Sequence, residues 1–232
     1  MLEHGGCAHG ARVRLNKDFD FDKEAAVRRG LLHVIGFIGV LALAGCAAKG
    51  EVMPINLIPV VQTSTQKPDA LVVVVPFEDA RPESTHLGSR AHFWGGQSYF
   101  EIPGGQAGDA VSKAIADYLK GKGWNVILVK SAESVTPEKP DVILTGKILA
   151  LSVDAQSKFM KTEMAAKTKI AVQGQNTADG SNVRMTLNGA GSQNVMWFNA
   201  DDAEKLLNDV LAESMEKLTT DTKFDNKMLR LK

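Results

Sequence analysis

The spacing of apolar residues first predicts a strand, a helix and a second strand. Residues 71–75 are five consecutive apolar side chains, four of them β-branched, which is typical of a strand buried on both faces. From 106 to 120, apolar residues recur every three or four positions, the spacing of one helical face, and Gly121 follows as a stop signal. Residues 124–129, apolar except for Asn125, predict the next strand. A strand–helix–strand unit of this length predicts two parallel strands with a right-handed crossover.

Beyond Pro140 the pattern changes to long strands without helices. Residues 141–153 predict one strand, while 163–173 and 182–197 alternate apolar with charged or polar side chains, as half-exposed strands do. The polar turn residues 176–181 between them indicate a hairpin. A last helix is predicted from Asn199, a residue that caps helices well.

Together these elements predict the order β-α-β-β-β-β-α and the α+β class. We expect a single mixed sheet of about five strands with two helices on one face. The predicted domain covers 70–220, and a polar tail, 221–232, is expected to fray. Residues 78–105 show no period and are expected to form a long loop.

The N-terminal segment has the parts of a secretory signal. Arg28 and Arg29 precede an apolar run, 31–44, whose roughly 14 residues are fewer than the about 20 that span a membrane. The polar, acidic residues before this signal indicate a translation start placed too early. The run ends on Leu-Ala-Gly-Cys at 43–46. We therefore expect residues 1–45 to be removed and 46–69, with three prolines, to form a semi-rigid tether.

Composition limits the classes of function. The chain has 232 residues, with 27 basic and 27 acidic side chains, and this balance does not favour nucleic acid as a partner. Its two cysteines are Cys7, in the segment expected to be removed, and Cys46. No disulfide is therefore expected in the mature domain, and no cofactor motif is present.

The Leu-Ala-Gly-Cys motif resembles the lipobox of bacterial lipoproteins. With the valine run 72–75, the Asp79-Ala80-Arg81 step and the closing helix, the chain resembles the YajG-like lipoproteins of Gram-negative bacteria. It is also similar to the wider group with a TolB-N-terminal-like domain, including LpoB-type activators. This resemblance implies acylation of Cys46, attachment to the lipid bilayer and a domain in the periplasm. Ala47 after the cysteine favours the outer membrane over the inner one.

Few residues suggest catalysis or ligand binding. Arg81 follows the first strand and can bind an anion or pair with Asp79. A metal site would need convergence of His86, His92 and nearby carboxylates, but their spacing fits no ligand motif. Neither a Gly-x-Ser-x-Gly motif nor a free cysteine supplies a nucleophile in the expected mature chain. We therefore expect no enzyme; the alternative is a small-ligand carrier or metal-dependent hydrolase using 78–105.

Four aromatic residues in a short segment are the strongest remaining feature. Phe93, Trp94, Tyr99 and Phe100 lie in a chain that is only 6% aromatic. Aromatic side chains flanked by glycine commonly anchor interfaces, and the alternative is that they fold back over the sheet. The favoured hypothesis is a non-catalytic binding or scaffold module for another envelope protein or the cell wall. Assembly into a homo-oligomer is a further hypothesis.

Overall fold

A computed structural model describes residues 50–61, 67–130 and 139–232. The predicted signal peptide, 1–45, and Cys46 lie outside these residues. All of the described residues lie in one compact unit, Gly50–Lys232. Their buried apolar side chains form one core cluster, which a domain needs to fold alone.

The described residues form eleven strands and two helices. The strands are β1 (Val52–Pro54), β2 (Leu71–Val74), β3 (Glu78–Asp79), β4 (Gly88–Ala91), β5 (Gln97–Glu101), β6 (Asn125–Leu128), β7 (Val142–Lys158), β8 (Lys161–Asn176), β9 (Asn182–Val195), β10 (Thr222–Asp225) and β11 (Met228–Leu231). The helices are α1 (Ala107–Gly121) and α2 (Ala200–Thr220). No helix among the described residues is both long enough and apolar enough to cross a membrane.

The long strand β7 organises one mixed sheet. On one side it pairs antiparallel with β8 along its whole length, and β9 continues the sheet beyond β8. On the other side it pairs in succession with β2, β3 and β4, all parallel. β6 extends the sheet beyond β2, while β5 and then β1 extend it beyond β4. The strands β10 and β11 form a separate antiparallel hairpin.

The α+β class with one mixed sheet and two helices is confirmed. The predicted parallel pairing of β2 with β6 is also correct, although β3, β4 and β5 lie between β2 and α1. Asn199 caps α2, accepting a hydrogen bond from the Asp201 backbone N–H at 3.2 Å. Both helices cover the same core, and they meet where Lys122 Nζ lies 2.5 Å from Glu216 Oε2.

The predicted strand number and order were wrong. The main sheet has nine strands rather than about five, so the order β-α-β-β-β-β-α omits several. Three of the missed strands, β3, β4 and β5, lie in the expected 78–105 loop. They are two to five residues long and are defined by backbone pairing with neighbouring strands, which leaves no clear side-chain period to detect.

Residues at both chain ends extend the folded unit beyond the predicted 70–220. β1 lies in the predicted tether and pairs in parallel with β5, and Ile55 after it is completely buried. The backbone N–H of Ile58 donates to Asn208 Oδ1 on α2 at 2.7 Å. At the other end, the expected frayed tail forms the β10–β11 hairpin. Its Leu229 is buried, because an apolar face of this short hairpin packs on the core.

Candidate functional site

Arg81 is fully occupied by contacts within the domain. Its Nε and one terminal nitrogen donate to the two carboxylate oxygens of Asp79, each at 2.8 Å. The remaining N–H groups donate at 3.2 Å to the backbone carbonyls of Ser84, His86 and Leu151. These contacts use all five guanidinium donors. The hydrogen bond from Arg81 lowers the pKa of the Asp79 carboxyl below its ordinary value. Of the two roles considered for Arg81, binding an anion or pairing with Asp79, the structure shows the pairing. The contact with Leu151 also attaches the segment after β3 to β7.

The two histidines considered for a metal site make separate contacts. The His86 ring stacks on Tyr99 with ring centroids 4.3 Å apart, whereas His92 Nε2 lies 2.6 Å from Ser98 Oγ. Within the described segments, no group of three or more His, Cys, Asp or Glu side chains is placed to hold a metal. The cavity beside Arg81 and His86 has a volume of about 20 Å³, which suits one water rather than a ligand.

The structure separates the four predicted aromatic residues. Phe100 points into the core from β5 and is fully buried, so its predicted role in partner binding is corrected to a core role. Tyr99, on the opposite side of β5, is partly covered by His86. Phe93 and Trp94 lie in the β4–β5 turn, where they are 48% and 93% exposed. A role in partner binding therefore stays a prediction for Phe93 and Trp94, whereas Phe100 belongs to the core.

Phe93 and Trp94 belong to a larger exposed surface, which we call the apolar end. Phe159 and Met160 form the β7–β8 turn, and Met196 and Trp197 directly follow β9. These four side chains are between 63% and 83% exposed. The ring centroids of Phe93 and Phe159 are 6.4 Å apart, and those of Phe93 and Trp94 are 4.8 Å apart. Six large apolar side chains thus project at one end of the sheet.

Strand register brings these three segments together. Near the end of β7, Gln156 pairs with Ala91, the last residue of β4, so the β4–β5 turn stands beside the β7–β8 turn. Thr162, near the start of β8, pairs with Val195, so Met196 and Trp197 leave β9 on the other side of the same turn. Four of the six residues were not predicted. Phe159 and Met160 lie beyond 153, where the sequence pattern ended the β7 strand, and Met196 and Trp197 were placed inside the strand predicted over 182–197.

Charged side chains surround the β7–β8 turn. Lys158 and Lys161 directly flank Phe159 and Met160, and both make ion pairs with Glu163. Hydrogen bonds from Lys158 and then Lys161 lower the pKa of the Glu163 carboxyl to about 2. The three groups together carry one net positive charge at neutral pH. The two lysines therefore lie directly next to the exposed residues of the turn, at the ends of β7 and β8.

Met160 has an unusual backbone conformation for its residue type. Its φ is 58°, in the left-handed region that glycine, asparagine and aspartate adopt most readily. A Met at such a position costs about 1–2 kcal/mol relative to a right-handed conformation. The turn therefore exposes an apolar side chain at a position where turn chemistry favours glycine.

A groove on the open face of the sheet is the other surface feature of note. It has a volume of about 520 Å³ and is lined by residues of β7, β8 and β9. Four of its polar side chains form two pairs. Lys147 Nζ lies 2.7 Å from Glu78 Oε2, and Arg184 Nε donates to Gln173 Oε1 at 3.1 Å. The groove thus offers less unpartnered surface than the apolar end.

No family model and no curated protein matches this sequence. Solved structures align with it at low identity. A Xanthomonas campestris protein described with the family model DUF330 aligns at TM-score 0.47 and 11% identity, over 72% of this chain and 91% of its own. A PelC dodecamer from Paraburkholderia phytofirmans aligns at TM-score 0.36 and 13% identity, over 65% and 92%.

Lipoprotein GNA1162 from Neisseria meningitidis aligns at TM-score 0.32 and 9% identity, over 60% of this chain and 92% of its own. All three TM-scores lie below 0.5, so these likenesses carry no inference about the function of this chain. The resemblance to YajG-like lipoproteins stays a prediction from sequence.

Proposed function

We propose that the protein is a lipid-anchored, non-catalytic binding module of the bacterial envelope, and that the apolar end is its docking surface. The observation that carries this proposal is the projection of six exposed apolar side chains from three segments at one end of the sheet. Monomeric proteins rarely leave such a cluster without a partner. The lipobox-like sequence ending at Cys46 supplies the anchor, and Ala47 favours the outer membrane.

The alternative function, a carrier or hydrolase using residues 78–105, receives less support from the same residues. All five guanidinium donors of Arg81 are used within the domain, and the cavity beside it, about 20 Å³, is far below the about 300–1,000 Å³ of small-molecule pockets. A second cavity, lined in part by Ser89 and Ala91, measures about 490 Å³, so a carrier would have to use that cavity rather than Arg81. A docking role needs only an accessible, chemically distinct surface, which the apolar end provides.

Crosslinking in living cells tests the proposal. A photoreactive amino acid at Trp94 or Trp197 should give adducts that mass spectrometry identifies as one class of envelope component. The control position is Ala178, which is exposed in the turn between β8 and β9. In the same cells, Cys46→Ser should abolish incorporation of a labelled fatty acid into the chain. Equal adducts at all three positions, or adducts at none, would contradict a docking role for the apolar end.

A further inference from the structure

On the basis of the proposed docking role, we infer that the apolar end docks on the surface of a phospholipid bilayer. The folded domain would then contact the membrane a second time, independently of acyl chains on Cys46. The six side chains of the apolar end would insert among the lipid headgroups, and Lys158 and Lys161 would remain at the level of the phosphates. We argue this occupant from the place where the chain enters the domain, from the chemistry of the exposed residues and from the shape of the tip that they form.

The chain enters the domain beside the apolar end. β1 runs parallel to β5, and the Glu51 carbonyl accepts a hydrogen bond from the Tyr99 backbone N–H at 2.8 Å. A Cβ atom added to Gly50 would lie 2.7 Å from the Gln97 carbonyl oxygen, so Gly50 packs against the first residue of β5. Gln97 directly follows the β4–β5 turn that carries Phe93 and Trp94.

Chain length then limits the distance between the predicted anchor and the apolar end. Four residue steps join Cys46 to Gly50, and an extended chain spans at most about 14 Å over that number. An acylated Cys46 would therefore bring this end of the sheet to within a short distance of the bilayer. The tether predicted over 46–69 cannot act as a long spacer, because β1 and Ile55 already belong to the sheet and core.

The exposed residues have the chemistry of the membrane interface. Tryptophan is enriched there because its ring is apolar while its N–H can still reach water, and two of the six residues are tryptophans. The β7–β8 turn reads Lys158-Phe159-Met160-Lys161, with the apolar pair outermost. Lys158, Lys161 and Glu163 together keep one net positive charge, which an anionic membrane attracts. A protein partner would not require this arrangement of outer apolar and inner cationic residues.

The shape of the apolar end suits a bilayer. It is a projecting tip built from two turns and a strand end, which can enter a soft headgroup layer without a complementary groove. The unfavourable φ of Met160 is consistent with selection for this exposed side chain.

Vesicle binding tests the inference. The chain from residue 46, with Cys46→Ser to remove any acyl anchor, should float with vesicles of phosphatidylcholine containing phosphatidylglycerol. The double variant Trp94→Ala/Trp197→Ala should bind at least about tenfold more weakly, because the loss of two inserted rings exceeds 1.4 kcal/mol. Ile58→Ser removes an apolar side chain that is 72% exposed outside the apolar end, and it should leave binding unchanged. Glu163→Gln should strengthen binding, since it frees the charges of both lysines.

Two results would overturn the inference. One is failure of the unsubstituted chain to bind these vesicles while its circular dichroism spectrum is that of a folded protein. The other is equal binding by the double tryptophan variant. If crosslinks from Trp94 in cells then identify a protein, the docking function stands and the bilayer is the wrong occupant. If position 94 gives no specific adduct either, both proposals fail.

Discussion

The two ends of the β7–β8–β9 sheet use opposite chemistry at their turns. At one end, the turn between β8 and β9 joins its polar side chains to each other and to the β10–β11 hairpin. At the other, the β7–β8 turn leaves Phe159 and Met160 exposed beside Phe93 and Trp197. The strand β8 thus has a turn at one end whose polar groups find partners within the domain. The turn at its other end has apolar side chains that remain available for an external contact.

We call the end formed by the β8–β9 turn and the β10–β11 hairpin the polar end, and Asn176 is its central residue. It is fully buried, and its side chain donates to Ser181 Oγ at 2.9 Å and to the Leu229 carbonyl at 3.0 Å, and accepts from the Leu229 N–H at 2.7 Å. Asp179 accepts hydrogen bonds from Ser181 and Arg230. The Ser181 hydroxyl is the largest cause that lowers the pKa of the Asp179 carboxyl to about 2. The conformation of this end is therefore held by hydrogen bonds within the domain.

The backbone of the two turns shows the same contrast. Gly180 at the polar end has φ of 71°, where glycine carries no steric penalty. Met160 at the apolar end has φ of 58° and a side chain that is 65% exposed. The comparison teaches that the apolar end is not optimised for the stability of the isolated domain. Its residues are better explained by a contact outside the domain.

The largest expected effect is at the polar end. Asn176→Ala should lower the free energy of unfolding by about 2–4 kcal/mol, because it leaves the buried N–H and C=O of Leu229 without partners. Trp94→Ala, at the opposite end, should change that free energy by no more than about 0.5 kcal/mol. Urea denaturation followed by far-ultraviolet circular dichroism measures both. Similar losses in the two variants would remove the distinction between the ends.

A smaller effect, of opposite sign at the two ends, is expected from exchanging turn residues. Gly180→Ala should destabilise the domain by about 1 kcal/mol, because alanine is disfavoured at positive φ. An added Cβ meets no nearby atom, so no steric clash adds to this backbone effect. Met160→Gly should raise the free energy of unfolding by about 0.5–1 kcal/mol and weaken vesicle binding. Thermal unfolding of the two variants against the parent chain measures the signs. A destabilised Met160→Gly would show that Met160 supports the fold.

Sequence predicted the parts of the fold that depend on local patterns. The valine run of β2, the helical period of α1 and the Asn199 cap of α2 can be recognised without tertiary information, and all three were correct. The apolar end could not be assembled in this way, because the meeting of Phe93 and Phe159 depends on the register of β4 against β7. A usable signal was nevertheless present in the Lys158–Lys161 segment, where two apolar residues lie between lysines.

The most direct test is to measure which end of the sheet meets the bilayer. The chain has three tryptophans, two at the apolar end and Trp124, which packs against Phe224 of β10 at a ring-centroid distance of 4.8 Å. In the chain from residue 46, Cys46 is the only cysteine and can be coupled to a maleimide lipid in vesicles. In variants that keep a single tryptophan, brominated lipids should quench Trp94 and Trp197 strongly and Trp124 weakly. Equal quenching of all three, or stronger quenching of Trp124, would contradict a bilayer contact through the apolar end.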